Sequence, residues 1–368
     1  MILVLNSGSS TLKYRLIDLT APAERRGGAV ERIGEPDGVP DHAAALAYAV
    51  DDLDLDHVPL RAVGHRVVHG GSRYTTPVVV DDAVLAGIRE LVPLAPLHNP
   101  ANLTGIAVAR SHRPDVPHVA VFDTAFHHTL PPAAATYAID TRVAARLGIR
   151  RYGFHGTSYR YVAGRTAELL DRPLSTLRMI VLHLGNGASA CAIAAGRSVE
   201  TSMGLSPLEG LVMGTRSGDL DPEIPGYLQR SGMDADAVTD LLWHQSGLAG
   251  LCGDNDMRRV LARRAAGDAR AALAFDVYCH RARKYIGAYH AVLGRVDALV
   301  FTAGVGEHAA GVRAAILDGL DGWGIAVDPV RNAAGGPVIS PDGGPVAVCA
   351  VPTDEEYQIA RETADLLG

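Results

Sequence analysis

The sequence predicts an α/β protein of about two domains. Strand-like and helix-like periodicities alternate along its length, and 368 residues exceed what one hydrophobic core ordinarily organises. A strand–turn–strand pattern also occurs twice, as MILVLNSGSSTLKYRLI at 1–17 and MIVLHLGNGASACAIAA at 179–195. That separation is far too long for a solenoid repeat. It suits two similar domains that each present a polar hairpin tip, although two unrelated hairpins with common turn residues would look alike.

The elements follow in order. Ile2–Leu5 is a continuous apolar run, the mark of a strand buried on both faces. Leu12, Tyr14 and Leu16 then alternate with Thr11, Lys13 and Arg15, which closes a hairpin around a Gly/Ser tip. Residues 21–58 are rich in Pro, Gly and Asp, with a short helix expected near Ala43–Asp52. Ala62–Val68 reads as a strand, Asp81/Asp82 open a helix through Glu90, and Pro100–Arg110 forms another. Val119–Phe122 is a strand and Thr157–Leu170 a helix. Ala269–Leu293 is a long amphipathic helix, capped by Asp268 and stopped by Gly294. Ala298–Thr302 is a strand and Ala309–Leu320 a helix. Thr353 and Glu356 have the spacing of a capping box that opens a terminal helix to Leu367.

Composition narrows the function classes. The chain is 48% hydrophobic and 20% charged, and 34 basic minus 41 acidic residues leaves −7, which argues against nucleic acid or an anionic membrane as partner. Cys191, Cys252, Cys279 and Cys349 are scattered without C-x-x-C, so neither a zinc site nor a disulfide framework is expected. The start lacks the basic n-region of a signal peptide. No apolar run approaches the roughly 18 residues of a membrane span. A soluble, cytoplasmic protein is expected.

Several turns are suited to phosphate. NSGSSTLKY (6–14) is small and polar, yet lacks P-loop and dinucleotide spacings. FTAGVGEH (301–308) reads as strand, Gly turn and helix, a geometry that aims backbone N–H groups at an anion. GHRVVHGG (64–71) sets two histidines four apart, but on a strand they lie about 13 Å from each other, too far for one metal. Arg66 shares a face with apolar Val68, so it is either functional or part of an internal ion pair. LAPLHNP, VFDTAFH, YGFHGTS and PLEGLVMGTRSGDLDP each place one polar residue among apolar neighbours: His98, Asp123, His155 and Arg216. Taken singly, each histidine reads more readily as a satisfied core or helix-capping residue than as a catalytic one. Asp123 ends a buried strand, where α/β sheets bind ligands. Glu355 and Glu356 also fit a helix's acidic first turn. Together these are the means of phosphoryl transfer, with the acceptor unspecified.

NSGSSTLKY, GHRVVHGG, PLAPLHNP, VFDTAFH, YGFHGTS, HLGNGAS, TSMGLSPLEGLVMGTRSGDLDP, FTAGVGEH and PTDEE, in this order, resemble the acetate kinase family nearly end to end. The resemblance implies duplicated ribonuclease H-like domains, an actin-like ATPase fold with an interdomain active-site cleft. Residues 1–124 plus 356–368 would form the N-terminal domain, and 125–355 the C-terminal domain carrying the nucleotide. It further implies reversible, Mg²⁺-dependent, in-line transfer of the ATP γ-phosphoryl group to acetate, Mn²⁺ as a substitute ion, and a cytosolic homodimer.

By position, Asn6 and Glu355 match the residues that organise the metal. Arg66, Arg216, His155 and Asp123 match the catalytic set. Val68, Leu97, Phe154 and Pro207 match the methyl pocket, with His98 and Arg66 beside the acid. Ser9, Thr11 and Lys13 match phosphate-side positions of the first tip, and His183, Asn186 and Gly187 those of the second. Asp256, Met257 and Arg258 match the adenosine side, as do Gly304, Val305, Gly306 and His308. His308 and Asp354 stand where the family commonly has Asn, Tyr159 where it has His, and Met257 where it has an aromatic residue. Propionate kinase is the nearest alternative, and butyrate kinase a more distant one. An Hsp70- or actin-like nucleotide-driven binding module would form no acyl phosphate, and a metal hydrolase fails on the strand spacing.

Overall fold

The computed structural model describes residues 1–21 and 25–368, so three residues of the Pro- and Gly-rich stretch lie outside it. The chain forms two compact units. One holds residues 1–128, 156–158 and 354–368; the other holds 129–155 and 159–353.

The first unit carries the strands β1 (Ile2–Ser7), β2 (Thr11–Ile17), β3 (Arg25–Glu31), β4 (Ala62–Val67), β5 (Val78–Val79) and β6 (His118–Phe122). They lie in the order β3-β2-β1-β4-β6-β5. β1 pairs antiparallel with β2 and parallel with β4, which pairs parallel with β6. The second unit carries β7 (Arg178–Leu184), β8 (Ala188–Ala194), β9 (Arg197–Thr201), β10 (Ala298–Thr302) and β11 (Ala347–Ala350), in the order β11-β10-β7-β8-β9. β7 pairs antiparallel with β8 and parallel with β10, which pairs parallel with β11. The sequence β3-β2-β1-β4-β6 thus has the same topology as β9-β8-β7-β10-β11. The duplicated hairpin is the visible part of a duplicated α/β domain, the ribonuclease H-like arrangement.

The opening apolar run is explained by the two faces of β1. Leu3 and Leu5 join Leu12, Tyr14 and Leu16 under the helix His42–Leu53, through Ala45, Leu46 and Ala49. Ile2 and Val4 face the opposite way, onto Ile359, Ala360 and Ala364 of the terminal helix Glu355–Leu367. Burying each large aliphatic side chain stabilises the unit by about 1.5–3 kcal/mol. Gly64 on β4 lets that helix approach, since a Cβ there would lie 2.7 Å from Thr363 Oγ1 and 2.9 Å from Ile359 Cγ2.

The cap of this helix differs from the expected Thr353/Glu356 box. Asp354 is the N-cap, and its carboxylate accepts from Tyr357 N at 2.9 Å. A carboxylate one residue later outcompetes the Thr353 hydroxyl because its charge also meets the helix dipole. Arg25 of β3 ion-pairs with it. Elsewhere the caps follow expectation: Asp81 accepts from Val84 N, while Asp268 and Gly294 bound Ala269–Leu293.

His65 on β4 meets His118, not His69: Nε2 of His65 lies 2.9 Å from Nδ1 of His118. His118 Nε2 donates to Arg113 O at 3.0 Å, so Nδ1 is the acceptor and the pair is neutral. Burial pushes both pKa values down. Below the unfolded value near 6.5 the unfolded chain takes up protons that the folded pair refuses. Stability contributed by the pair is therefore complete above that pH and is lost as pH falls beneath it, by up to about 1.4 kcal/mol per pH unit for each histidine. Urea midpoints measured from pH 7.5 to 5.5 should fall in the native chain and fall less in His118→Asn. Equal slopes would contradict the assignment.

Candidate active site

In the first unit, side chains of the predicted site gather at the carboxyl ends of β1, β4 and β6. Asp123 follows β6, and its N–H extends the ladder to Val67 O at 3.0 Å. Its carboxylate is 1% exposed. It accepts from Arg66 Nε at 3.0 and 3.2 Å, from Arg66 Nη2, and from Thr157 Oγ1 at 3.3 Å. Strand alternation turns His65 and Val67 into the core and leaves Arg66 on the other face, 22% exposed. Arg66 is therefore in an ion pair, and it does more: Nη1 donates to Asn6 Oδ1 at 3.2 Å, and Nε lies 4.0 Å from Glu355 Oε2. Burial would lower the Arg66 pKa, but Asp123 and Glu355 overcome it and hold the guanidinium charged. Burial pushes Glu355 up to about 7, with Asp123 and Glu356 adding to the rise and Arg66 opposing it, although 22% of its side chain stays open.

The rest of this unit's predicted set divides by setting. Val68 is buried, with its N–H held by Asn102 Oδ1 at 3.0 Å. Leu97 is 48% exposed, and His98 occupies the N-cap position of the helix Asn99–His112. At the hairpin tip Gly8 N donates to Thr11 O at 2.8 Å. Ser9 and Lys13 are exposed and Thr11 is half-buried.

The second unit's group is built around the turn after β7. Gly214 N donates to Asn186 O at 2.9 Å, which ties this turn to the Arg216 loop. A Cβ on Gly187 would lie 3.3 Å from Arg216 Nη2 and 3.6 Å from His155 Nε2. Arg216, His155 and the Asn186–Gly187 turn are thus brought together. Arg216 Nη1 donates to Pro207 O at 2.8 Å, and the guanidinium lies over the Trp243 ring, 5.6 Å from its centroid. Among the described residues no carboxylate ion-pairs with it, and burial lowers its pKa. His155 takes a left-handed φ of 57° at the N-cap of Gly156–Leu169 and stacks on His183 with centroids 4.1 Å apart. Phe154 and Pro207 are buried in this unit.

Two further predicted groups lie on other elements of the second unit. Asp256 caps the helix Met257–Ala265 and pairs with Arg258 at 2.6 Å, while Met257 is buried. Gly304, Val305, Gly306 and His308 lie in the one-and-a-half-turn helix Ala303–His308 after β10, with the His308 side chain 81% exposed.

Sequence reasoning passed over several supporting residues. Asn102 bridges Val68 N and Ser7 O, and Asn99 bridges His69 N and O. Thr157 donates to Asp123. Ser189 contacts His155 Nδ1 at 2.8 Å and also Tyr159. The one available signal was polar residues with strongly apolar neighbours, which does not reveal a partner far away in the chain.

Asn6 Oδ1 and Glu355 are hard oxygen donors, which fits Mg²⁺ held by few protein ligands and otherwise by water and phosphate. Among the described residues no cluster of three or more His, Cys, Asp or Glu forms a metal cage. No helix among them is long and apolar enough to cross a membrane. One of these two half-buried arginines is matched by carboxylates and the other is not. A cation partly withdrawn from water without an opposite charge is costly, and the second group is accordingly suited to receive an anion.

The Acetokinase family profile matches residues 1–361. The chain is 57% identical to the acetate kinase of Streptomyces griseus subsp. griseus, over all of this chain and 96% of that protein. Its structure is similar to that of Porphyromonas gingivalis acetate kinase, with TM-score 0.94 and 39% identity, covering 100% and 99% of the two chains. A propionate kinase from Francisella tularensis is also similar, with TM-score 0.92 and 38% identity over 98% of each chain.

Proposed function

The chain belongs to the acetokinase family, and from that premise we propose that it transfers the ATP γ-phosphoryl group reversibly to acetate, giving acetyl phosphate and ADP. The observation that carries the reading is Arg216, a half-buried guanidinium without a carboxylate partner, set against His155 and the Gly187 backbone.

Acetate has a pKa near that of Asp or Glu, roughly 4, so at neutral pH it is already the nucleophile and needs no general base. The difficulty is repulsion between this anion and a polyphosphate. Catalysis therefore consists of positioning and charge neutralisation. Arg66 binds the acetate carboxylate, held in place by Asp123 and Asn6. By the family resemblance, the methyl group is assigned to Val68 and Leu97, with His98, in the first unit and to Phe154 and Pro207 in the second. Arg216 and His155 take the equatorial oxygens of the transferring group in line between donor and acceptor oxygens. Ser9, Thr11, Lys13, His183, Asn186 and Gly187 serve the phosphates. Asp256, Met257, Arg258 and the 304–308 segment serve the nucleoside. Asn6 and Glu355 would hold Mg²⁺, which when bound screens the β- and γ-phosphate charge. A cytoplasmic setting and a homodimer complete the reading.

Acetate is favoured over propionate because relatives 54–57% identical are named acetate kinase, whereas the similar propionate kinase is 38% identical. A hydroxamate assay with ATP, Mg²⁺ and acetate, propionate or butyrate tests this. One methylene too many should lower kcat/KM for propionate by about 10–200-fold, and butyrate should react more slowly still. Equal or better turnover of propionate would overturn the acceptor, and no hydroxamate from any acid would overturn the kinase reading.

A further inference from the structure

Tyr159, Ser189 and His155 form a hydrogen-bonded row within the second unit. The Tyr159 hydroxyl contacts Ser189 Oγ, and Ser189 Oγ lies 2.8 Å from His155 Nδ1. Tyr159 and Ser189 are fully buried. Tyr159 stands one helical turn after His155 and donates its backbone N–H to His155 O at 3.0 Å, while Ser189 comes from β8. The His183 ring stacks on the imidazole within 19° of parallel, which fixes its plane. With Nδ1 held by Ser189, Nε2 faces the Gly187 backbone and the Arg216 guanidinium.

The order of donors in the row decides where the imidazole proton sits. A phenol is a stronger donor than an aliphatic hydroxyl, and burial pushes Tyr159 well above its ordinary pKa, so it keeps its proton. When Tyr159 donates to Ser189 Oγ, the single Ser189 proton is directed to His155 Nδ1. A neutral imidazole accepting at Nδ1 carries its own proton on Nε2.

We infer that Tyr159 and Ser189 are positioning residues that hold His155 as its neutral Nε2–H tautomer, so that it offers the transferring phosphoryl group a donor and not a lone pair. The opposite tautomer would aim a lone pair at phosphoryl oxygens and repel them. This rests on the proposed role of His155 and goes beyond it by assigning its proton and the groups that set it. It also gives a use to Tyr159, which stands where the family commonly has His.

The test combines ¹⁵N-histidine NMR of the full chain with kinetics of Ser189→Ala, Tyr159→Phe and His155→Gln. The His155 signals, identified by their loss in His155→Gln, should show a pyridine-type Nδ1 and a pyrrole-type Nε2 in the native chain. Ser189→Ala should mix the tautomers and lower kcat roughly tenfold, the effect of ~1.4 kcal/mol in the transition state. KM values for acetate and ATP should stay within about twofold, because the bond strengthens only in the transition state. Tyr159→Phe, which removes one oxygen from a packed ring, should do the same to a smaller extent and guards against a Ser189→Ala chain that misfolds. A protonated Nδ1 in the native chain, or lowered stability with unchanged tautomer and kcat in both variants, would overturn the row. Near-normal turnover of His155→Gln would instead remove the role of His155, and the inference with it.

Discussion

Arg216→Ala is expected to lower kcat by at least ~10³-fold, about 4 kcal/mol of transition-state stabilisation, while the chain remains folded. The native guanidinium is half-buried and tied to the protein by one hydrogen bond to Pro207 O and the Trp243 ring. It is not an ion-pair member whose loss would leave a carboxylate stranded, so the structural cost is small. Removing it deletes a positive charge beside Gly187 and His155, where the proposed transfer would spread negative charge over phosphoryl oxygens. Arg216→Lys should recover little, because an ammonium cannot reproduce a planar fork held by a carbonyl on one side and, in the proposed role, facing phosphate on the other. Steady-state kinetics with thermal melting decide the matter. An alanine variant within tenfold of native kcat, or one that unfolds, would contradict the role given to Arg216.

How much of this was legible in the sequence depends on how far each residue's partner lies along the chain. The β1–β2 hairpin, its twin at β7–β8 and the Asp268 and Gly294 boundaries rest on local spacing, and they appear in the structure as read. Arg66 was conspicuous as a charge sharing a strand face with Val68, yet its partner Asp123 is 57 residues away on a parallel neighbour. Period-two alternation cannot indicate which strand lies alongside. Asn102 and Ser189 carry no local signature, because their work is to satisfy backbone or imidazole groups brought near only by the fold. The Thr353/Glu356 reading failed for a local reason: Thr-x-x-Glu and Asp-x-x-Tyr are offset by a single residue, and the charged cap has Arg25 to pair with as well. The neutral His65–His118 pair was hidden in the same way, since strand spacing sets His69 too far from His65 but cannot point to His118 on the neighbouring strand.

Asp123→Ala and Arg66→Ala should each destabilise the protein and inactivate it, whereas the double variant should be more stable than the two single effects added together predict. Breaking a buried pair from one side costs about 3–5 kcal/mol, because the remaining charge is left without its partner. The 22% exposure of Arg66 and the presence of Glu355 at 4.0 Å place Asp123→Ala at the lower end. Asp123 also helps to raise Glu355 to about 7, so losing Asp123 lets Glu355 ionise more readily and take over part of the charge on Arg66. Arg66→Ala leaves Asp123 at 1% exposure with only Thr157 Oγ1 on its carboxylate, and should cost the more of the two. The coupling energy from the cycle should reach roughly 1–3 kcal/mol. Activity should not follow stability: all three variants lose at least ~10²-fold in kcat, since a misplacement of about 1 Å of a positioning group already costs that much. Urea unfolding and kcat measured on the same four proteins separate the two effects. Additive stabilities would show that the pair is not coupled, and a double variant that regains turnover would show that neither residue holds the acid.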